Sequence, residues 1–225
     1  AAARLAARGA RPRCASTFRA TQEQLQLARG SKPWPPWLRR EMRSNWAGET
    51  GAVAIYRGCQ AALRRVPCAE ERAGLEAFAN EHVAAEVAHL DAMSVIVSEP
   101  GERSWLPAAA FGWCLGFAST AIRGARGMYV TTHAVEAFVE EHYGDQISRL
   151  SRELASGARA PSEAYGELLS LLRAACADEV QHKEDAARRA LSGGGEEGGL
   201  ALGDRLHYAG VYWASRVGAA LAKRL

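Results

Sequence analysis

Two Glu-x-x-His motifs, Glu86 to His89 and Glu179 to His182, fall on stripes of apolar residues, and that placement constrains the fold more than any other feature of the chain. Steps of three and four from Leu75 give Phe78, His82, Glu86, His89, Met93 and Ile96, one face of an amphipathic helix with three polar residues inside it. A buried carboxylate is costly unless it is paired or bound to a cation. A Glu and a His one turn apart on a core face therefore point to a metal. The pattern recurs in Tyr165, Leu168, Leu172, Ala175 or Cys176, Glu179, His182 and Ala186.

Two further stripes each carry a lone Glu. Glu49 opens Glu49, Val53, Tyr56, Gln60 and Leu63, and Glu136 lies within Thr132, Glu136, Val139, Tyr143, Gln146 and Leu150. The order is Glu, then Glu-x-x-His, twice over. Intervals of 37 residues from Glu49 to Glu86 and 43 from Glu136 to Glu179 each fit one helix, a turn and part of the next. That is the signature of an internal duplication. Ferritin-like carboxylate bundles assemble their ligands in this way. The expected fold is all-α: a ferritin-like four-helix bundle, with an additional apolar interfacial helix and a C-terminal amphipathic helix.

A length of 225 residues, 48% of them apolar, supports one sizeable core. The five cysteines form no Cys-x-x-Cys pair, which argues against a disulfide framework or a zinc knuckle. The net charge of +3 hides an asymmetry, since residues 1–45 hold ten Lys or Arg against two acids. Residues 1–20 are rich in Arg and Ala without an acid, as in a processed organellar transit peptide. The division expected is residues 1–43 as a basic N-terminal extension and 44–225 as the di-iron domain, with the proline-rich run from Pro33 to Trp37 at the boundary.

Along the domain, helices are expected from about Ser44 to Val66, Ala69 to Ser98, Met128 to Ser156, Pro161 to Leu191 and Leu202 to Leu225. Between Trp105 and Ile122 lie eighteen residues without a charge, and Ala108, Gly112, Gly116, Thr120 and Gly124 follow one another at steps of four. Pro107, the glycines and the low aliphatic content make this a weak membrane spanner. It reads either as an interfacial helix with Trp105 and Trp113 at headgroup level or as a small-residue helix packed closely on the bundle. Residues 192–199 are a low-complexity, glycine-rich loop. Nothing in the charge pattern points to nucleic acid.

Four carboxylates and two imidazoles suit iron or manganese better than structural zinc. Spacing alone reaches a dinuclear carboxylate protein and leaves storage, peroxide handling and oxygenation open. The runs Ala47 to Val53 with Ile55 and Tyr56, Glu86 to Leu90, Ala134 to Glu136, His142 and Tyr143 with Gln146, and Asp178 to His182 resemble the demethoxyubiquinone monooxygenase family of ubiquinone biosynthesis. The resemblance covers about Ser44 to Leu225 and includes the last helix.

That resemblance implies a di-iron centre held by Glu49, Glu86, His89, Glu136, Glu179 and His182. It implies dioxygen-dependent hydroxylation of a polyprenyl demethoxyquinone ring, with reduced nicotinamide as the ultimate electron source. It also implies an oligomeric, peripheral protein on the matrix side of the mitochondrial inner membrane, served by a lipid-presenting helper protein. His142 and Tyr143 resemble a family pair that assists electron or proton delivery, and the alternative is an ordinary His and a core Tyr. His82 and Asp178 either orient ligands or lie on the helix surface, while His133 and His207 belong to no constellation. Thr50 and Trp46 stand where the family usually has Tyr and a polar or His residue. The basic arm and the glycine-rich loop are extra, which admits an alternative: an accessory subunit recruited into a larger mitochondrial respiratory assembly.

Overall fold

The computed structural model describes residues 18–160, 162–192 and 200–225, and all of its regular structure is helical. The transit-peptide expectation for residues 1–17, the glycine-rich loop at 193–199 and Pro161 as a helix start lie outside the described residues. Helix α1 (Gln22–Arg29) opens on a reciprocal cap, in which Thr21 Oγ1 accepts from the Gln24 N–H at 3.2 Å and Gln24 Oε1 accepts from the Thr21 N–H at 3.0 Å. Helix α2 (Pro36–Ala62) begins eight residues before Ser44, because Pro36 sits in the first turn, where its missing N–H costs nothing. Pro67 separates it from α3 (Ala69–Ile96), whose first turn carries Glu70 and Glu71.

The uncharged segment and the third ligand helix are the two halves of α4 (Ala108–Ala155), joined at Gly124 with φ 60° and ψ −148° and folded back on each other there, so that Thr131 Oγ1 donates to Ser119 Oγ at 2.8 Å. A side chain would strain that backbone. Glu71 of α3 spans the break, its Oε1 accepting from the Ala125 N–H at 2.9 Å. Helix α5 (Glu163–Leu191) starts on Ser162, whose hydroxyl accepts from the Tyr165 N–H, and α6 (Leu202–Ala222) closes the chain.

Helices α2, α3, the second half of α4 and α5 form the bundle, with α2 packed on α3 and α4, and α4 on α5. The first half of α4 lies on α2 backbone to backbone. A Cβ added at Gly112 would stand 2.2 Å from the Gly51 carbonyl oxygen, and one at Gly116 would stand 1.8 Å from that of Ile55. The small-residue stripe therefore faces the bundle, while Phe111, Trp113 and Ile122 remain exposed. Helix α6 packs on α4 and α2 and exposes Leu202, Leu206, Trp213, Val217 and Leu221. Among the described residues no helix is long and apolar enough to cross a membrane.

The core has two parts. One gathers Leu38, Met42, Met93, Leu150, Leu168 and Leu172, and the other Tyr56, Leu75, Phe78, Met128 and Ala186. On each bundle helix the ligand-type residues fall between these two apolar layers. Helix α1 packs on both α3 and α5 and buries Leu25 and Ala28 between them.

Candidate metal centre

Glu49, Glu86, His89, Glu136, Glu179 and His182 come from four helices and are all buried. Two overlapping groups have ligand atoms within 4.8 Å of one another: Glu49, Glu86, His89 and Glu179, and Glu86, Glu136, Glu179 and His182. Glu86 and Glu179 belong to both groups, so these two stand between the halves. Each half draws its Glu-x-x-His from one helix because residues three apart share a face.

The His89 imidazole is oriented from behind. His89 turns Nδ1 toward the carboxylates, 2.9 Å from Glu179 Oε1 and 3.8 Å from Glu49 Oε2, while its Nε2 lies 3.1 Å from Asp178 Oδ2. His182 Nδ1 lies 3.0 Å from Glu179 Oε2 and 3.3 Å from Glu86 Oε1, and its Nε2 is 3.8 Å from Asp178 Oδ2. Asp178 is fully buried and lies within hydrogen-bond reach of His89 Nε2 alone, the arrangement in which a carboxylate fixes an imidazole so that its other nitrogen can bind metal. Of the two readings open for Asp178, the surface position is excluded. Tyr143 donates to Glu49 Oε1 at 2.6 Å.

Three buried atoms in this cluster, Glu86 Oε1, His89 Nδ1 and His182 Nε2, make no hydrogen bond. Glu86 Oε1 and His89 Nδ1 belong to residues of the convergent donor set, and such orphaned atoms fit a cation better than a closed polar core. The electrostatics agree. Burial, reinforced by Glu179 and Glu86 against the pull of His89, pushes the Glu49 carboxyl up to about 8. Burial and the same two carboxylates hold Glu136 well above its ordinary value. Burial disfavours charge on His89, but Glu179, Asp178 and Glu86 outweigh it and raise its pKa; Glu179 and Glu86 do the same for His182. Burial likewise opposes charge on Glu179, and His89 and His182 overcome it and hold that carboxyl low. The site thus retains protons where a metal would supply positive charge.

The remaining candidates divide. His142 lies outside the cluster, stacked on Phe138 with Nε2 3.6 Å from Glu41 Oε2, and burial lowers its pKa to about 3. His82 is buried behind His182 at 4.8 Å between ring centroids, with Nδ1 on the Phe78 carbonyl, and burial lowers its pKa to about 4. His207 bridges Arg123 and Thr131, and His133 packs on Tyr208.

Two contacts had no signal in the sequence pattern. Phe18 sets its ring edge against His89 at 4.7 Å. Asn45 and Gln146 exchange hydrogen bonds at 2.9 Å in each direction and tie α2 to α4 one turn from Glu49 and Tyr143.

The family model described as Ubiquinone biosynthesis protein COQ7 matches residues 36–195. The chain belongs to that family. All six clustered residues fall inside the match, while α1 and α6 fall outside it. A 3-demethoxyubiquinol 3-hydroxylase from Rhodospirillum rubrum is 33% identical over 114 residues, which are 49% of this chain and 50% of that protein. The chain spans about half the length of the curated relative it matches. Membership of the COQ7 family carries with it the ferritin-like bundle, with α2, α3, the second half of α4 and α5 as its four helices.

Proposed function

We propose that the chain is a di-iron hydroxylase of a polyprenyl demethoxyquinone ring, acting in ubiquinone biosynthesis. The observation that carries this reading is the convergence of four buried carboxylates and two buried imidazoles inside the family match. Glu49, Glu86 and His89 would hold one ion and Glu136, Glu179 and His182 the other, with Glu86 and Glu179 placed to serve both. Bound there, the iron pair would activate dioxygen with electrons drawn ultimately from reduced nicotinamide.

The protein's own residues set the conditions for that chemistry. Asp178 keeps the His89 imidazole in one orientation, and Tyr143 donates to Glu49 Oε1 and holds that carboxylate in place. Tyr56, Phe78, Met93 and Leu172 are buried in the apolar layers on either side and exclude water from a strongly oxidising site. The exposed apolar faces of the first half of α4 and of α6 suit a membrane surface from which a lipid quinone is taken. On this reading the protein works peripherally, on the matrix side of the mitochondrial inner membrane, as the family resemblance implies.

The test is turnover by the purified chain, loaded with iron and supplied with a demethoxyquinone, dioxygen and reducing equivalents. The hydroxylated quinone, with its new oxygen labelled from labelled dioxygen, is the expected product. Two bound irons per chain with no product would refute the reading. Recovery of the native protein only within a respiratory assembly would then favour the accessory-subunit reading.

A further inference from the structure

The segment that precedes the family match makes a wall of the site. Phe18, Leu25 and Ala28 are buried, and α1 lies on both α3 and α5. Beneath it is a small, partly open cavity of about 20 Å³, bounded by Phe18 and Leu25 on one side and by His89, Met93, Tyr143 and Leu172 on the other. That volume is just over what one water-sized molecule needs.

The cavity offers water almost nothing to bind. Its two polar neighbours turn their polar atoms elsewhere, since His89 points Nδ1 toward the carboxylate cluster and sets Nε2 against Asp178, and the Tyr143 hydroxyl donates to Glu49. A buried water usually makes about three hydrogen bonds, and apolar cavities that cannot supply them stay dry. A dry space for one small molecule, touching a residue of the metal cluster, suits an apolar diatomic. We propose that Phe18–Gly30 and the facing surfaces of α3 and α5 enclose a holding site for dioxygen next to His89. The proposal rests on the oxygen-dependent reading above and adds the route: oxygen reaches the centre from beneath α1, away from the apolar faces of α4 and α6 that would admit the quinone.

The wall is built to stay in place yet to yield. The Thr21 and Gln24 cap fixes the start of α1, and Arg29 to Glu99 and Lys32 to Glu102 pair its far end with the loop after α3. The first of these pairs is exposed and holds weakly. Most of the closure comes from Phe18 and Leu25, so their side chains set how tightly the cavity is sealed.

The experiment is methyl relaxation in the intact, iron-free chain under dissolved dioxygen, whose paramagnetism reports where it resides. Methyls of Ala92, Met93, Leu172 and Ala175 should relax several-fold more than the similarly buried methyls of Val53, Ala54 and Ile55. Ala175→Val, which fills the cavity, should abolish that contrast. Phe18→Ala, which opens it, should admit water, detected as exchange between solvent and these methyls. Equal relaxation at both sets of methyls in the unaltered chain, or an ordered water there, would overturn the proposal whether or not the variants fold. Enhanced relaxation in a chain that forms no hydroxylated quinone would support the holding site and sink the enzymatic reading. Hydroxylation without the contrast would sink the holding site alone.

Discussion

Removing metal should make the protein less stable as pH rises from 6.5 to 8. Burial and neighbouring carboxylates put the folded-state pKa of Glu49 at about 8, against 4.5 for a solvated Glu. In this window native Glu49 keeps its proton and unfolded Glu49 has lost it. One proton retained on folding lowers stability by about 1.4 kcal/mol per pH unit, or about 2 kcal/mol over the window. Glu136 is also raised, and His89 and His182 are raised above the imidazole value, so each adds loss of the same sign. Buried His82 and His142 are lowered and oppose the trend only below their unfolded value of 6.5, and the contribution of depressed Glu179 is complete above 4.5. The assay is urea unfolding in chelator at intervals across this range, repeated with metal. Bound cations should remove the decline, because metal affinity rises as the carboxylates ionise. Stability that is flat or rising in chelator would show that the metal-free carboxylates are already ionised, and would refute the reasoning.

Asp178→Asn removes the carboxylate behind His89 and should weaken metal binding about 10- to 100-fold, read by competition with a chromogenic chelator. Tyr143→Phe leaves Glu49 Oε1 without its donor and should cost about 1–3 kcal/mol in chemical denaturation of the loaded protein. Gly116→Ala drives a methyl into the Ile55 carbonyl and should destabilise by about 1–3 kcal/mol or more in thermal melts. Gly74→Ala, on an exposed helical face with nothing within 4 Å, should stabilise by about 0.5–1 kcal/mol in the same melts.

The ligand stripes were legible because charge on an apolar helical face is costly, and a repeated cost demands a common cause. Leu75, Phe78, His82, Glu86, His89, Met93 and Ile96 are all buried, as is the stripe from Tyr165 to Ala186. Helix boundaries were less legible. Pro35 and Pro36 read as a break, yet the proline ring that ends one helix is pre-shaped to begin another. Gly124 read as one more small residue at steps of four, since nothing in the sequence separates a packing glycine from one with positive φ. Helix α1 is only eight residues long, and its one clear sign, Thr21 three residues before Gln24, is common by chance. Asp178 could not be placed because its neighbour Glu179 occupies the stripe, and only the crossing of α3 and α5 turns it toward His89. His142 shows the reverse: adjacency to Tyr143 in sequence puts it on a different face, toward Glu41.

The position of α1 also fixes an order of events during folding. It adjoins α2 in sequence, but the surfaces it needs belong to α3 and α5 and exist only once those helices have met. A short helix has little stability by itself, so α1 must wait, and it docks after the bundle has closed its long-range contacts. Until then one side of the carboxylate cluster is open to small cations. The segment that precedes the bundle in sequence becomes the last piece fitted, and the folding chain has a period in which metal can enter without anything having to move aside.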